Sequence, residues 1–174
     1  ARFMIEEQDK KIAQMIEEKG IGCLVVINKW DLIPKDTHTI IWYTEQVRRQ
    51  LPFLTYAPLL FISALTRQRV NNIFSESRHV FANYSGKLET PALNKVLHQL
   101  IATVPPKIQK GKQLKIYYAT QVHSKPPAVL CFVNNIKHTY DAYTQYLENH
   151  LREHFSLTGT PLRLVFRNKT KNQN

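Results

Sequence analysis

Asn28, Lys29 and Asp31 carry side chains of the types that can read a purine base. They follow an apolar, β-branched run at residues 23–27, which predicts a buried strand. A second strand, predicted at residues 59–62, leads directly into Ser63-Ala64-Leu65. Groups that bind a ligand in an open α/β sheet lie beyond the carboxyl ends of parallel strands. The sequence therefore predicts two loops, N-K-x-D and S-A-L, side by side at one edge of a sheet.

The residue types of the first loop match the chemistry of guanine. The Asp31 carboxylate can accept hydrogen bonds from both the N1–H and the exocyclic amino group of guanine. Adenine lacks that pair of donors, and a buried carboxylate left unpaired is costly, so one Asp can discriminate strongly between the two bases. Lys29 can lay its aliphatic stem over the purine face. The amide of Asn28 is expected to brace the two loops against each other.

The second loop contributes smaller groups to the same predicted site. Because Ala64 has a small side chain, its backbone N–H can approach the guanine O6. Ser63 is expected to hydrogen-bond to the Asp31 carboxylate, and Leu65 completes the motif. A pattern with three fixed positions is short, so the alternative interpretation is a pair of ordinary strand-to-helix turns.

These residues also carry a family resemblance. The chain resembles the Der (EngA) family of tandem GTPases at Gln8-Asp9, at the N-K-W-D stretch, at residues 61–65 and over the whole segment from Pro91 to Lys169. The most distinctive patterns are K-I-Y-Y-A at 115–119, P-P at 126–127, F-V-N at 132–134 and G-T-P-L-R at 159–163. Members of that family are bacterial ribosome-assembly GTPases in which two G domains precede a KH-like domain.

The resemblance implies a fold, ligands and partners. Residues 1–87 would be the C-terminal part of an α/β P-loop-GTPase domain, and residues 88–174 an α+β KH-like domain of order α-β-β-α-β. The implied ligand is GTP or GDP, with Mg²⁺ bound in the parent protein only. The implied partners are ribosomal RNA in the 50S ribosomal subunit and the protein's own upstream G domains.

The motifs that handle nucleotide phosphates do not occur in this sequence. A GTPase needs a G-x-x-x-x-G-K-[ST] loop to cradle the phosphates and a D-x-x-G switch, and neither is present. We therefore expect the chain to begin after the second switch of the second G domain, as a fragment of a longer protein. We expect no catalytic residue in it and no GTP hydrolysis by the fragment alone.

Charge separates the two halves of the chain. Residues 1–90 contain 12 Lys/Arg and 10 Asp/Glu, whereas residues 91–174 contain 12 Lys/Arg and only 3 Asp/Glu. Such asymmetry favours a polyanionic partner, for which ribosomal RNA is the natural candidate, although a basic face can also serve only solubility. The RNA-contact candidates are Lys107, Lys110, Lys112, Lys115, Lys137 and Arg163.

The amino-acid composition indicates the cellular compartment in which the protein is expected to work. The two cysteines fall in separate predicted strands, which indicates small core residues in a reducing environment rather than a disulfide framework. No apolar stretch approaches the roughly 20 residues that span a bilayer, so we expect a cytoplasmic protein with no membrane partner.

Periodicity predicts three helices in the first half of the chain. They cover residues 3–19, residues 36 or 37 to 50, and residues 70–84, with Gly20 as the C-terminal stop of the first. The predicted buried stripes are Ile5, Ile12, Met15 and Ile16; Ile40, Ile41, Val47 and Leu51; and Val70, Ile73, Phe74, Val80 and Phe81.

The second half is predicted to contain two helices and three strands. The first helix covers residues 92–102, with Thr90 as N-cap and Pro91 at the first helical position. Strands follow at 114–121 and 128–134, a helix at 140–155 and a final strand at 162–167. The lysine-rich stretch from 107 to 115 is expected to be a loop.

Two further patterns in the sequence have the residue types of possible binding sites. His150 and His154 have the i, i+4 spacing of zinc ligands, but no third ligand is evident, so a solvated helix face is the favoured interpretation and no metal is predicted. Tyr117, Tyr118, Tyr140, Tyr143 and Tyr146 could stack on RNA bases, but periodicity favours core positions for most of them. Three functions stay open: part of a GTPase, an RNA-binding module, or a regulatory domain that docks on neighbouring G domains.

Overall fold

The structure is a computed structural model that describes residues 5–34, 36, 38–109 and 111–169. The chain forms two compact units. The first comprises Ala1–Tyr84 together with a short later segment, Thr158–Pro161, and the second comprises Ser85–Leu157 and Leu162–Asn174. Within the described residues, no helix has the length and apolar character needed to cross a membrane.

The first unit is built on two short parallel strands, which pair residue for residue. They are β1 (Val25–Ile27) and β2 (Leu59–Phe61), and the accompanying helices are α1 (Glu7–Lys19), α2 (Thr39–Gln50) and α3 (Asn72–Ser85). Alternation of strands and helices along a chain is the arrangement that produces parallel pairing. Because the two strands run in the same direction and in register, their carboxyl ends lie at the same edge of the sheet.

The ends of α1 follow from local hydrogen bonding. The helix begins at Glu7, later than the predicted residue 3, which lies outside the described residues. A reciprocal capping arrangement fixes this start, in which the Glu6 side chain accepts from the Asp9 N–H and the Glu6 N–H donates to the Asp9 carboxylate at 2.9 Å. The predicted stop at Gly20 is confirmed, with φ of 66°, a conformation that is costly for residues with a Cβ.

The buried faces of these helices are narrower than periodicity predicted. Ala13 is the buried residue of α1, although its side chain was not part of the predicted stripe. Val47, Leu51 and Val80 are buried as predicted, whereas Ile12, Met15, Ile40, Ile41, Phe74 and Phe81 are exposed. Ile5, Ile16, Val70 and Ile73 are half-buried. A two-stranded sheet offers little surface to pack against, so each helix buries only the residues nearest its line of contact.

The second unit is a three-stranded sheet with two helices on one face. Its elements are α4 (Thr90–Thr103), a small hairpin of β3 (Ile108–Gln109) and β4 (Lys112–Gln113), then β5 (Ile116–Ser124), β6 (Pro127–Val133), α5 (Asp141–His154) and β7 (Arg163–Asn168). The central strand is β6, antiparallel to β5 and parallel to β7. Apart from the hairpin, the order of elements is the predicted α-β-β-α-β.

The core of this unit lies between the sheet and its helices. Burial alternates along β6, where Val129, Cys131 and Val133 are fully buried and the residues between them are not. The helices contribute the other half of the core, including Leu93, Leu97, Leu147 and Leu151. Alternation in a strand and a stripe on each facing helix are the two patterns that sequence periodicity detects best, and both predicted helices of this unit are present.

Polar side chains from both helices cover the edges of the sheet. On the β5 edge, the Asn94 side chain donates to the Ala119 carbonyl at 2.7 Å and accepts from the Ala119 N–H at 2.8 Å. On the β7 edge, the Glu148 carboxylate accepts from the Leu164 N–H at 2.8 Å. Edge backbone groups must find partners other than a neighbouring strand, and these two side chains provide them.

Two predictions for this unit need correction. The predicted loop at 107–115 contains the β3–β4 hairpin, whose strands of two residues are too short for period-two alternation to reveal. Thr90 is the first residue of α4 and Glu89 occupies the N-cap position, so the predicted cap is one residue late. Differences of one or two residues at element ends are ordinary.

Candidate functional site

The two predicted motifs begin at the shared edge where β1 and β2 end. The hydrogen-bond ladder of the sheet continues into both loops, because the Ile62 N–H donates to the Ile27 carbonyl at 2.8 Å and the Trp30 N–H donates to the Ile62 carbonyl at 2.9 Å. The chain segments that follow the strands are therefore held side by side before they diverge. This edge is the place where open α/β sheets bind ligands.

Asn28 joins the two loops directly. Its side-chain oxygen accepts from the N–H of the next residue, Lys29, at 2.7 Å and from the N–H of Ala64, in the other loop, at 3.0 Å. The amide of Asn28 thus contacts its immediate neighbour in the chain and a residue that is 36 positions away. The bond to Ala64 brings the N-K-x-D loop and the S-A-L loop together.

Asp31 has an unusual environment for a carboxylate. It lies in a single 3₁₀ turn, Trp30–Leu32, and its Oδ1 atom is buried without a hydrogen-bond partner among the described residues. Buried polar atoms in folded proteins are paired in the large majority of cases, and an unpaired carboxylate oxygen is among the costly exceptions. Such an atom at a ligand-binding edge is suited to accept hydrogen bonds from a bound molecule.

Trp30, the variable residue of the motif, anchors the loop, and the sequence prediction did not include it. Its indole is 2% exposed and packs against the rings of Phe61, at 4.5 Å between centroids, and Tyr43, at 5.2 Å. This burial anchors the turn, in which Lys29 is exposed and adopts a left-handed φ of 61°. A large aromatic residue between polar ones, shortly after a predicted strand, is the sequence signal that could have found it.

The S-A-L loop is held by hydrogen bonds between Ser63 and the residues that directly follow the motif. Ser63 is fully buried, its hydroxyl accepts from the Thr66 N–H at 3.1 Å, and its own N–H donates to the Gln68 carbonyl at 3.1 Å. The hydrogen bond of the Ser63 hydroxyl is therefore within its own loop, whereas a bond to Asp31 was expected. Leu65 is 84% exposed at the tip of the loop.

The basic RNA-contact candidates of the second unit fall at two ends of the sheet. Four exposed lysines lie on the hairpin or near the end of the sheet where β5 begins and β6 ends: Lys107, Lys112, Lys115 and Lys137. Arg163 lies opposite Ala128 at the start of β7, about 17 Å along the strand from the other end. Lys110 lies outside the described residues.

Of the two histidines on α5, His150 contacts neighbouring side chains of the same helix. His150 Nδ1 lies 3.3 Å from the Glu153 carboxylate, and the His150 ring makes an edge contact with Tyr146 at 4.6 Å. In the described part of the chain, no group of three or more His, Cys, Asp or Glu side chains could hold a metal ion.

Comparison with known families classifies the second half of the chain. Residues 87–167 match the family described as the KH-domain-like C-terminal domain of EngA bacterial GTPase enzymes. The second unit is thus a KH-like domain of the EngA type, built from the α-β-β-α-β elements described above.

Comparison with curated proteins extends the relationship over nearly the whole chain. The chain is 43% identical over 166 residues to the GTPase Der of Alkaliphilus oremlandii, which covers 95% of this chain and 38% of that protein. It is 47% identical over 163 residues to the GTPase Der of Moorella thermoacetica, covering 94% and 37% respectively. It is 45% identical over 169 residues to the GTPase Der of a Synechococcus species, covering 96% and 37%.

The chain belongs to the Der (EngA) family and corresponds to a C-terminal part of it. It spans a little over a third of the length of the curated relatives it matches.

Proposed function

We propose that the first unit is the base-recognition part of a GTP-binding domain and that it binds guanine nucleotides through the two loops at the carboxyl edge of its sheet. The observation that carries this proposal is the buried, unpaired Oδ1 of Asp31 beside loops that Asn28 ties together. A pair of donors on a flat ligand edge would supply the missing hydrogen bonds. Guanine offers such a pair in its N1–H and amino group.

The surrounding residues support this orientation of the base. Lys29 is exposed next to Asp31, so its aliphatic stem is available to cover one face of the purine. The backbone donors that the second loop offers to guanine O6 are the N–H groups of Ala64 and Leu65. Because the Ala64 N–H already donates to Asn28, its contact with O6 would be shared, whereas Leu65 N–H has no such partner in the described part of the chain.

The activity proposed for the longer protein is GTP hydrolysis in ribosome assembly. Its curated relatives are named as GTPases, and the 174 residues contain neither the phosphate-binding loop nor the D-x-x-G switch. The groups that hold the phosphates and Mg²⁺ would therefore come from another part of the protein. The fragment alone would be inactive, because positioning and charge neutralisation at the phosphates account for nearly all of this catalysis.

The function proposed for the second unit is contact with ribosomal RNA of the 50S ribosomal subunit in the cytoplasm. The support for this is its excess of Lys/Arg over Asp/Glu and the exposure of Lys107, Lys112, Lys115 and Lys137. The sequence contains no G-x-x-G, the loop through which many KH domains clamp single strands. Contacts made by these lysines would then be salt-sensitive and largely independent of the RNA sequence.

Another face of the second unit would dock on upstream G domains of the same protein.

The guanine assignment is tested by the variant Asp31→Asn in the longest form of the protein that its gene encodes. Replacing an acceptor-only carboxylate by an amide removes one acceptor and adds a donor, which suits xanthine, whose C2 position bears a carbonyl instead of an amino group. We expect affinity for GDP to fall by about two orders of magnitude and affinity for xanthosine diphosphate to rise. Competition of GDP, xanthosine diphosphate and ADP against a fluorescent GDP measures both changes.

The matched control is Asp36→Asn. Asp36 is an exposed carboxylate in the same connection, where it accepts hydrogen bonds from His38 and Thr39. This variant should leave the preference for GDP over xanthosine diphosphate unchanged. A GDP affinity in Asp31→Asn equal to that of the wild type would exclude Asp31 as the base-reading residue.

A further inference from the structure

Among the described residues of the second unit, the helices pack on one face of the β5–β6–β7 sheet and leave the other without a helix of that unit. The helices lie on the face formed by Ala119, Val129, Cys131, Val133 and Leu164, all of which belong to the buried core. The residues that alternate with these on each strand point to the opposite side. We call that side the open face, and its members are Tyr118, Thr120, Leu130, Phe132, Val165 and Arg167.

Strand register arranges the open face in rows. Phe132 on the central strand lies between Tyr118 on β5 and Arg167 on β7. In the next row, Leu130 lies between Thr120 and Val165. The rows are about 7 Å apart along the strands, since two residues separate them. The open face is therefore an apolar, partly aromatic surface with a cation at the end of its first row.

Aromatic rings on this face are accessible to solvent. Tyr118 is 44% exposed and stacks on Phe132, with ring centroids 6.0 Å apart and planes inclined by 29°. The neighbouring Tyr117 is 45% exposed, and the Lys169 ammonium lies 5.0 Å from its ring centroid. Contiguous exposed apolar side chains on a soluble protein mark an interaction surface more often than chance exposure does.

The charged residues on the three strands of the sheet are all basic. Strands β5, β6 and β7 contain no Asp or Glu, whereas Arg163 and Arg167 lie on β7 and Lys169 directly follows it. The carboxylates of the second unit lie elsewhere, at Glu89 before α4 and at Asp141, Glu148 and Glu153 on α5. A partner that fits must present flat apolar groups and negative charge together. Single-stranded nucleic acid has both, in its bases and its phosphates.

We propose that the open face binds single-stranded RNA, with bases stacked on Tyr118 and Phe132 and with backbone phosphates contacting Arg167 and Lys169. The area covers about two or three nucleotides, the number that sheet-borne aromatics stack in other RNA-binding folds. This site is separate from the lysines of the hairpin, and it rests on the function proposed above only in the choice of RNA over DNA.

The test uses the full chain and three fluorescein-labelled probes of ten nucleotides. The probes are oligouridylate, an abasic strand with the same phosphates, and a duplex. We expect the wild type to bind oligouridylate about tenfold more tightly than the abasic strand. Tyr118→Ala should abolish that preference without changing the dependence of affinity on salt, because the cations that bind phosphate all remain. Arg167→Gln should weaken binding to both single strands and reduce the slope of log affinity against log salt by about 0.7.

Two variants control for folding and for loss of an aromatic ring in general. Tyr118→Phe keeps the ring and should bind all three probes as the wild type does. Phe74→Ala removes an exposed aromatic residue of the first unit and should leave every affinity unchanged. The proposal is overturned if the wild type binds the abasic strand as tightly as oligouridylate, or if Tyr118→Ala binds like the wild type, which is the result expected of a face that docks protein.

Failure here is distinguishable from failure of the RNA contact proposed for the hairpin lysines. Loss of Lys107 and Lys112 would weaken binding to oligouridylate and to the abasic strand by the same factor, since both probes carry the same phosphates. A preference for bases that depends on Tyr118 can be present or absent whatever that result.

Discussion

The side-chain oxygen of Asn28 accepts the backbone N–H of Ala64 at 3.0 Å, and this bond joins two loops that are 36 residues apart in the chain. The same oxygen accepts from Lys29 at 2.7 Å. One acceptor thus fixes the backbone on both sides of the candidate base site. The arrangement makes Asn28 a positioning residue, whose loss should loosen both loops.

Asn28→Ala is therefore expected to lower the free energy of unfolding by about 1 kcal/mol, the usual net value of an exposed pair of such hydrogen bonds. Asn28→Asp keeps an acceptor oxygen at the same place and should be closer to the wild type. Urea denaturation of the full chain followed by circular dichroism compares the three proteins. Equal losses in the two variants would show that the bond to Ala64 does not contribute to stability.

A larger loss is expected for Asn94→Ala in the second unit. Asn94 bonds both the N–H and the carbonyl of Ala119, which is fully buried, so the truncation leaves two buried backbone groups unpaired. We expect a loss of about 3 kcal/mol. Asn149→Ala, at an exposed position of α5, is the matched control and should change stability by less than about 0.5 kcal/mol. Urea denaturation of both variants is the measurement, and similar small losses would contradict this account of the sheet edge.

The two cysteines should differ in reactivity. Burial raises the pKa of the Cys131 thiol to about 12, with a smaller contribution from the nearby Glu148 carboxylate, and the residue is fully buried. Burial also raises the pKa of Cys23, which is only half-buried. Because the thiolate is the reactive form, iodoacetamide at pH 8 should modify Cys23 first and Cys131 only after unfolding in urea. Mass spectrometry of peptides over time gives the order, and rapid modification of Cys131 in the folded chain would contradict it.

The raised pKa of Cys131 also has a consequence for stability against pH. The unfolded chain would lose the thiol proton near pH 9 and the folded chain near pH 12, so between these values the unfolded state binds fewer protons. Stability from this group is complete below about pH 9 and falls as pH rises to about 12. Burial raises the pKa of Tyr143 to about 12 as well, from an ordinary value of 10, which adds to the fall. Cys131→Ala should make the decline shallower.

Salt dependence tests the lysines that are predicted to contact RNA. Replacing Lys107, Lys110 and Lys112 by Ala should reduce the slope of log affinity against log salt for ribosomal RNA by about two to three units, or one for each phosphate that is no longer neutralised. A triple Ala variant of Lys10, Lys11 and Lys19 on α1 changes net charge equally and should leave the slope unchanged. Equal slopes for the wild type and the Lys107, Lys110 and Lys112 variant would mean that these lysines only interact with solvent.

Local patterns determined most of the second unit. Alternation along residues 128–134 and apolar stripes at 92–102 and 140–155 predicted elements that the structure contains, because each element there packs against a full layer of neighbours. A strand between two strands and under two helices buries one face completely, so its pattern is strong. The apolar run at residues 23–27 likewise placed Asn28, Lys29 and Asp31 directly after a strand, where they are found.

Tertiary structure alone decided which apolar stripes are buried and which groups meet. Phe74 and Phe81 have helical spacing that favours a core, but periodicity does not report whether a surface exists to cover them, and both are exposed. The contacts of the loop residue Gly159 could not be predicted from local sequence patterns either. Its N–H donates to the Tyr56 carbonyl at 2.8 Å, and a Cβ there would lie 2.3 Å from a methyl group of Val80.

In the candidate site, too, some features are determined by the sequence and others by the tertiary structure. The sequence supplied the residue types, because hydrogen-bonding chemistry is a property of each side chain. The bond from Ala64 to Asn28, the burial of Trp30 and the unpaired oxygen of Asp31 depend on how two parallel strands end in register. Contacts between residues distant in the chain are set by the packing of whole elements, and no local pattern encodes them.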